Sequence, residues 1–198
     1  MTITYTIGNS LYLNITNACT NNCDFCIRNN SQSVGDAENL WLEKEPTKEE
    51  IWDNISKRDL SIYKEVVFCG FGEPLIRLDE LLWVCQNIKK HSNISIRVNT
   101  NGQVNLIFGQ NVTQKFKGLI DVLSISLNAK NSQDYIKICH PVYGIKTFES
   151  ILTFAKESKK YVKEVIFTVV DNLPKEDIEI CRNISNDIGV KFRVRHLI

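Results

Sequence analysis

The chain of 198 residues reads as an open, partial (β/α)6 barrel, a parallel sheet with helices on its outer side. Three observations predict this. Strand-like and helix-like segments alternate from residue 11 to the end. The helix-like segments carry single apolar stripes. Start and stop residues sit where the stripes begin and end.

The elements follow in order. Residues 11–15, Leu-Tyr-Leu-Asn-Ile, read as the first strand. Thr47 reads as a helix cap, with Glu50 three residues on completing a capping box and Ile51 and Ile55 sharing the face behind it. Residues 65–69 are the second strand. Residues 78–90 form a helix striped by Leu81, Leu82, Cys85 and Ile88. Residues 94–98 are the third strand, and a short helix falls within 106–117. Residues 122–127 are the fourth strand. A short helix precedes His140, and Thr147 is expected to cap the next, which carries Phe148, Ile151, Leu152 and Ala155. A fifth strand lies within 162–170. Pro174 suits a first helical turn, Glu176 and Asp177 the positive helix end, and Gly189 the stop. Ile178, Cys181, Ile184 and Ile188 line that helix, and residues 190–197 are the sixth strand. Strands joined through helices pair in parallel. Eight such units close a TIM barrel, so six leave it three-quarters complete, with the site expected at the carboxyl ends of the strands. Neither repeat nor linker interrupts residues 1–198, which reads as a single domain.

Composition narrows the class. Hydrophobic residues are 43% and charged residues 24%, values of a soluble globular protein. The net charge of +1 gives no strong field for nucleic acid or anionic membrane, so neither partner is indicated. No apolar run reaches a membrane span, and the first residues lack a signal-peptide core, so a cytoplasmic protein is expected. The seven cysteines are an odd number, and three of them crowd into residues 19–26. That pattern suits metal or cluster chemistry in a reducing compartment rather than a disulfide scaffold.

Cys19, Cys23 and Cys26 follow directly on the first strand. Three thiolates on one tight loop can each take one iron of a cubane cluster and leave the fourth iron open to an exogenous ligand. A structural zinc site is the competing reading, but it lacks its second ligand pair. A redox C-x-x-C of Cys23 and Cys26 would have no use for Cys19. Gly70 and Gly72 permit close backbone approach after the second strand, and Pro74 sets the turn. Ser124 and Ser126 share one face of the fourth strand with Asn128. Arg193 and Arg195 alternate on the last strand. Facing inward they would clamp a carboxylate or phosphate; facing outward they would be solvated. Arg28 lies close behind Cys26. His140 reads as structural, Cys85 and Cys181 as core.

The C-x3-C-x-Φ-C pattern, with Phe25 as its aromatic residue, resembles the signature of the radical S-adenosylmethionine superfamily. The segments around Cys19–Cys26, Leu40-Trp41-Leu42-Glu43, Phe68 to Pro74 and Phe192-Arg193-Val194-Arg195 resemble the TatD-linked radical S-adenosylmethionine proteins, nearly end to end. The resemblance implies a [4Fe–4S] cluster on Cys19, Cys23 and Cys26 and S-adenosylmethionine on the open iron. It implies that Gly70, Gly72 and Glu73 meet the amino group of the cofactor, with Phe71 interrupting the family's glycine pair. It also assigns cofactor contacts to strand ends at Asn99, Asn101, Ser124, Ser126 and Asn128, and Phe25, Arg193 and Arg195 join this set. An external electron donor such as flavodoxin or ferredoxin is implied. The substrate is a small molecule or, as in activases, a protein or peptide; a non-catalytic zinc or iron–sulfur module is the alternative of another class. Residues 27–45 are expected to form a lid, its polar half mobile and Leu40, Trp41 and Leu42 packed onto the domain; a static wrap with Trp41 in the core is the alternative.

Overall fold

A computed structural model describes residues 1–197. Seven strands form one sheet in sequence order, from β1 (Thr4–Ile7) and β2 (Ser10–Leu13) through β3 (Glu65–Phe68), β4 (Ser95–Thr100), β5 (Val122–Ser126) and β6 (Glu164–Val170) to β7 (Lys191–Arg195). From β2 onward all pairings are parallel. The helices α1 (Lys48–Ser56), α2 (Leu78–His91), α3 (Val104–Ile107), α4 (Ser132–Cys139), α5 (Thr147–Ser158) and α6 (Lys175–Ile188) lie in the connections between them. The sheet is open, with β1 and β7 as its edges. The partial barrel expected from the alternation is therefore present.

One strand was not expected. β1 pairs antiparallel with β2, so the sheet has seven strands and is not wholly parallel. Its turn is Gly8-Asn9, with Gly8 at φ 56°, the left-handed conformation that a tight hairpin demands. Thr47 forms the expected capping box with Glu50. Thr147 does not cap its helix. It is the first residue of α5, Lys146 stands at the cap position, and the buried Thr147 hydroxyl has no partner among the described residues. Pro174 likewise precedes the first turn of α6, and Gly189 ends that helix at φ 73°. The short helix expected within residues 106–117 is two pieces, α3 and a 3-10 turn at Thr113–Phe116.

The two faces of the sheet differ in chemistry. Leu11, Leu13, Val66, Phe68, Ile96, Val98, Leu123, Ile125, Phe167 and Val169 form the outer face, buried against Ile51, Ile55, Leu81, Cys85, Ile88, Ile151, Phe154 and Cys181 of the helices. Each such large side chain contributes about 1.5–3 kcal/mol by leaving water. On the inner face the alternate residues become polar towards the strand ends, and this is where the cavity lies.

At the opposite ends of the strands, charge ties the sheet together. Asp121 accepts from Lys89 Nζ at 2.5 Å and from the Ile96 N–H at 2.9 Å, and Lys163 lies 2.7 Å from its other oxygen. Burial works to raise its pKa, but hydrogen bonds from Lys163, Lys89 and the Ile96 amide outweigh burial and hold the carboxyl below its usual value. A depressed carboxyl stabilises the fold above its unfolded pKa of about 3.9, and the effect is lost as pH falls through the lower folded value. Asp121→Asn should therefore lose about 1.5–3 kcal/mol at neutral pH, the worth of hydrogen bonds to a charged group. In urea denaturation, the gap to wild type should close in acid below the unfolded pKa. A gap independent of pH would mean that packing, not charge, is at stake.

Candidate functional site

The loop of residues 19–26 leaves β2 and is fastened along its length. Asn22 and Asp24 donate their N–H groups to the carbonyls of Cys139 and Ile138, 3.0 Å each, at the end of α4. Thr20 O accepts from the Val142 N–H at 2.9 Å. The Asn21 side chain is buried; it donates to the Tyr135 hydroxyl at 2.9 Å and accepts from Gln103 Nε2 at 2.7 Å. Asn101 Nδ2 donates to Thr20 Oγ1 at 2.9 Å and lies 3.9 Å from Cys19 Sγ. Arg28 folds back to donate to the Asn21 carbonyl at 3.1 Å, which places its charge over the loop. Backbone and amide dipoles thus hold Cys19, Cys23 and Cys26 half-buried on one wall.

The segment after β3 is locked against this loop. Glu73 donates its N–H to the Ala18 carbonyl at 2.8 Å. Its carboxylate, 3% exposed, accepts from Leu75 N–H at 3.0 Å, Thr100 Oγ1 at 2.8 Å and Asn101 N–H at 2.6 Å. Burial outweighs these bonds and pushes the carboxyl up to about 7. Gly72 is required here by the chain itself: a Cβ would lie 2.6 Å from the Ala18 carbonyl oxygen and closer still to that of Thr16. A Cβ at Gly70 would collide with the Asn14 side chain. The close approach that the glycines permit is thus between two segments of this protein.

The inner faces of the strands complete the site. Asn99 pairs in register with Ser124, Ser126 with Thr168, and Thr168 with Arg193. Arg193 Nη2 donates to Ser124 Oγ at 3.1 Å, so the last strand turns this arginine inward. Arg195 shares its face, and both arginines remain exposed at the rim of the cavity. Neither has an acidic partner among the described residues. Asn128 stands at φ 57°, a left-handed conformation, and is 4% exposed; its Oδ1 has no partner among the described residues. A polar atom buried at the wall of a cavity without a partner suits a ligand.

One cavity of about 430 Å³ joins these parts. Cys19, Cys23, Cys26, Phe25, Gly70, Gly72, Glu73, Asn99, Asn101, Ser124, Ser126, Asn128, Arg193 and Arg195 all line it. Cys69, Arg97, Thr168, Tyr5 and Tyr12 also line it and were missed by the sequence reading. Cys69, Arg97 and Thr168 share the strand parity of Val67, Asn99 and Ile166, so alternation carried the signal. Tyr5 lies on the unexpected strand. Asn21, which lies within the cysteine motif at a position the pattern leaves free, and Gln103 and Tyr135, which lie in no motif, buttress the loop.

The apolar side of the cavity comes from residues 27–45 and the hairpin. Leu40, Ala37, Tyr5 and Phe71 form a second small core, with Ile7, Tyr12, Ile27 and Val34 against it. Leu40 and Leu42 are buried as expected, whereas Trp41 is 39% exposed and meets Phe71 edge-on at 5.0 Å between ring centres. Flanking Leu40 and Leu42 point to one side of an extended segment, so Trp41 points to the other. His140 pairs with Asp24 at 2.7 Å on the surface, a structural role. A second hollow, lined by Met1, Glu38, Trp41 and Glu43, contains no thiol and no glycine turn.

The donor set fits an iron–sulfur cluster. Three thiols line one wall and face open space on their cavity side. No three His, Cys, Asp or Glu side chains among the described residues converge where a single ion would sit. A cubane, whose irons take one thiolate each, asks for no such convergence.

An open α/β barrel with a three-cysteine loop at the carboxyl ends of its strands defines a class of cluster-dependent enzymes. Residues 13–185 match the Radical SAM superfamily model, and the chain belongs to that family. The family's cofactors are a [4Fe–4S] cluster and S-adenosylmethionine, and its members take electrons from an external reductant. No curated protein matches the sequence. Among solved structures, Streptococcus suis SuiB bound to S-adenosylmethionine is similar with 18% identity and a TM-score of 0.63, over 94% of this chain and 38% of that one. HydG, a maturase of the [FeFe]-hydrogenase, gives 18% identity and a TM-score of 0.65 over 96% of this chain and 42% of its own. A radical SAM methyltransferase from Sphaerobacter thermophilus gives 14% identity and 0.63, over 98% and 68%. These likenesses are of fold, and the chain spans less than half of SuiB and of HydG. No described helix is long and apolar enough to cross a membrane.

Glu73→Ala should leave the buried Asn101 N–H without its acceptor, at a cost of about 1–3 kcal/mol. Urea denaturation of the cluster-free protein measures it. An unchanged midpoint would mean that water takes the carboxylate's place.

Proposed function

We propose that this chain is a radical S-adenosylmethionine enzyme in which Cys19, Cys23 and Cys26 bind three irons of the cluster. The cofactor lies between the Gly70–Glu73 segment and the strand ends. The observation that carries the reading is the single cavity lined by the loop thiols, that segment and the inner faces of β4, β5 and β7. Held by Cys19, Cys23 and Cys26, the cluster would supply reductive cleavage of S-adenosylmethionine and, through it, hydrogen abstraction from a substrate.

The chain's own groups bind, orient and exclude water. A carboxylate has about four acceptor positions. Glu73 uses three on Leu75, Thr100 and Asn101, and the remaining one suits the cofactor's ammonium group. Arg193 and Arg195 suit its carboxylate, and Asn128 Oδ1, with Ser124 and Ser126, suits the ribose hydroxyls. Tyr5, Ile7, Val34, Leu40 and Phe71 make the opposite wall apolar, which keeps water from a reactive radical.

The finer assignment is to the TatD-linked group, in the cytoplasm, with flavodoxin or ferredoxin as donor and a small molecule as substrate. The motif segments support the group, and a reducing compartment suits seven free thiols. The lack of a convergent ligand triple among the described residues counts against a zinc module.

Anaerobic reconstitution should give about four irons per chain, and the triple alanine variant of Cys19, Cys23 and Cys26 should lose nearly all of them. With dithionite, the loaded protein should release 5′-deoxyadenosine slowly without any substrate. Glu73→Ala should weaken cofactor binding about tenfold to a hundredfold. Iron retained by the triple variant, or no 5′-deoxyadenosine from the loaded wild type, would refute the reading.

A further inference from the structure

The cavity contains one thiol that the cysteine loop does not supply. Cys69 follows β3 with the parity of its inner face and lines the cavity. Cys85, Cys139 and Cys181 are fully buried and line no part of it, although the Cys139 sulfur lies behind the wall, 3.8 Å from Asn128 Nδ2. Cys69 is held at both ends of its peptide unit. Its N–H donates to the Leu13 carbonyl at 3.0 Å, and its carbonyl accepts from the Tyr5 hydroxyl at 3.0 Å. Asn99, beside it on the inner face, accepts at Oδ1 from Arg97 Nη1 at 2.8 Å. Burial raises the thiol pKa, so the sulfur keeps its hydrogen at neutral pH.

A second, independent feature points to a guest in the same space. Asn128 Oδ1 is buried at the cavity wall, has no partner, and sits on a residue in the left-handed conformation. Unpaired polar atoms and strained backbone gather where a ligand completes the bonding. Cys69 therefore faces a space built for a bound molecule, and it is neither a loop thiol nor core filling.

We propose that Cys69 is a catalytic hydrogen-atom donor that quenches a carbon-centred substrate radical; this rests on the radical reading above. The S–H bond breaks homolytically, a C–H bond forms on the substrate, and the unpaired electron stays on the Cys69 sulfur. One electron from the external donor that reduces the cluster, and one proton from solvent, restore the thiol. An S–H bond is weaker than an alkyl C–H bond, so the transfer runs downhill. The matching substrate class loses one hydrogen and regains one, as in inversion of a carbon centre or a rearrangement, and is not dehydrogenated.

Two measurements test this without the substrate. The first uses S-adenosylmethionine alone with reduced, cluster-loaded protein in D2O. Uncoupled cleavage then leaves its carbon radical in the cavity, and an S–D donor there puts deuterium on the 5′-deoxyadenosine. Wild type should give labelled product. Cys69→Ala and the nearly isosteric Cys69→Ser, whose O–H bond is too strong to donate, should lose the label, with iron content verifying that each is folded. Cys181→Ala, a thiol of the helix core outside the cavity, should retain it. Label retained in both Cys69 variants, or absent from wild type, overturns the proposal. No 5′-deoxyadenosine at all from wild type would instead remove the radical reading. The second measurement needs no turnover. Methyl methanethiosulfonate, applied at alkaline pH so that part of the raised thiol ionises, should modify Cys69 in cluster-loaded protein, read by peptide mass, and S-adenosylmethionine should protect it. Modification indifferent to S-adenosylmethionine, or none at all, would put the sulfur outside the cofactor's space and overturn the proposal.

Discussion

The site depends on one buried carboxylate. Glu73 joins three segments distant in sequence: its N–H holds the carbonyl just before the cysteine loop, and its oxygens hold the 3-10 turn at Leu75 and the end of β4 at Thr100 and Asn101. Asn101 in turn reaches the loop at Thr20 and lies near Cys19. A charge so far from water is tolerated only because every bond to it is short and aimed. Burial still pushes the carboxyl up to about 7, because three donors offset the loss of water only in part. A cationic ligand beside it would restore the balance. The same group thus shapes the site and leaves it in electrostatic need of a guest.

The sheet solves a related problem. Parallel strands are usually covered on both faces and apolar on both. Here the outer face follows that rule, while the inner face carries Arg97, Asn99, Ser124, Ser126, Thr168, Arg193 and Arg195. Polarity is manageable where partners exist. Arg97 is paired with Glu65 at 2.8 Å, and Ser10 donates to the same carboxylate at 3.0 Å. Among the described residues, Arg193 has only a serine hydroxyl and Asn128 Oδ1 has no partner. Satisfaction therefore falls from the amino ends of the strands to their carboxyl ends. That gradient separates the part of the barrel that stabilises from the part that binds.

Much of this was legible in the sequence, for identifiable reasons. Period and capping chemistry are local, so the alternating elements and the Thr47–Glu50 box could be read directly. Parity along a strand is also local, which is why Ser124, Ser126 and Asn128 fall on one face as expected. Whether that face is inner or outer is not local. Arg193 and Arg195 required the pairing of β6 with β7 before their direction was defined. β1 was overlooked because Thr4-Tyr5-Thr6-Ile7 is short and its first residues were weighed only as a leader; the Gly8-Asn9 turn between alternating residues was the available sign. Thr147 misled because a threonine before an apolar stripe has the composition of a cap, and only the backbone tells the cap from the first turn.

The overlooked hairpin matters because residues 27–45 are built onto it. Asp36 bonds the Thr6 N–H through its side chain and the Thr6 carbonyl through its own N–H, covering the open edge of β1. Asn14 Nδ2 donates to the Leu40 carbonyl at 2.7 Å, and Asn17 pairs with both polar groups of Leu42 at 2.8 and 3.0 Å. Asn14 and Asn17 flank the strand exit that leads into the cysteine loop, so cluster loop and apolar wall are positioned from the same few residues. Among the described residues, the stretch 30–33 bonds only within the segment itself. A movable lid of the whole segment would have to break these buried bonds. The dry side of the cavity is instead preorganised by the fold, and any closing motion is confined to the polar tip.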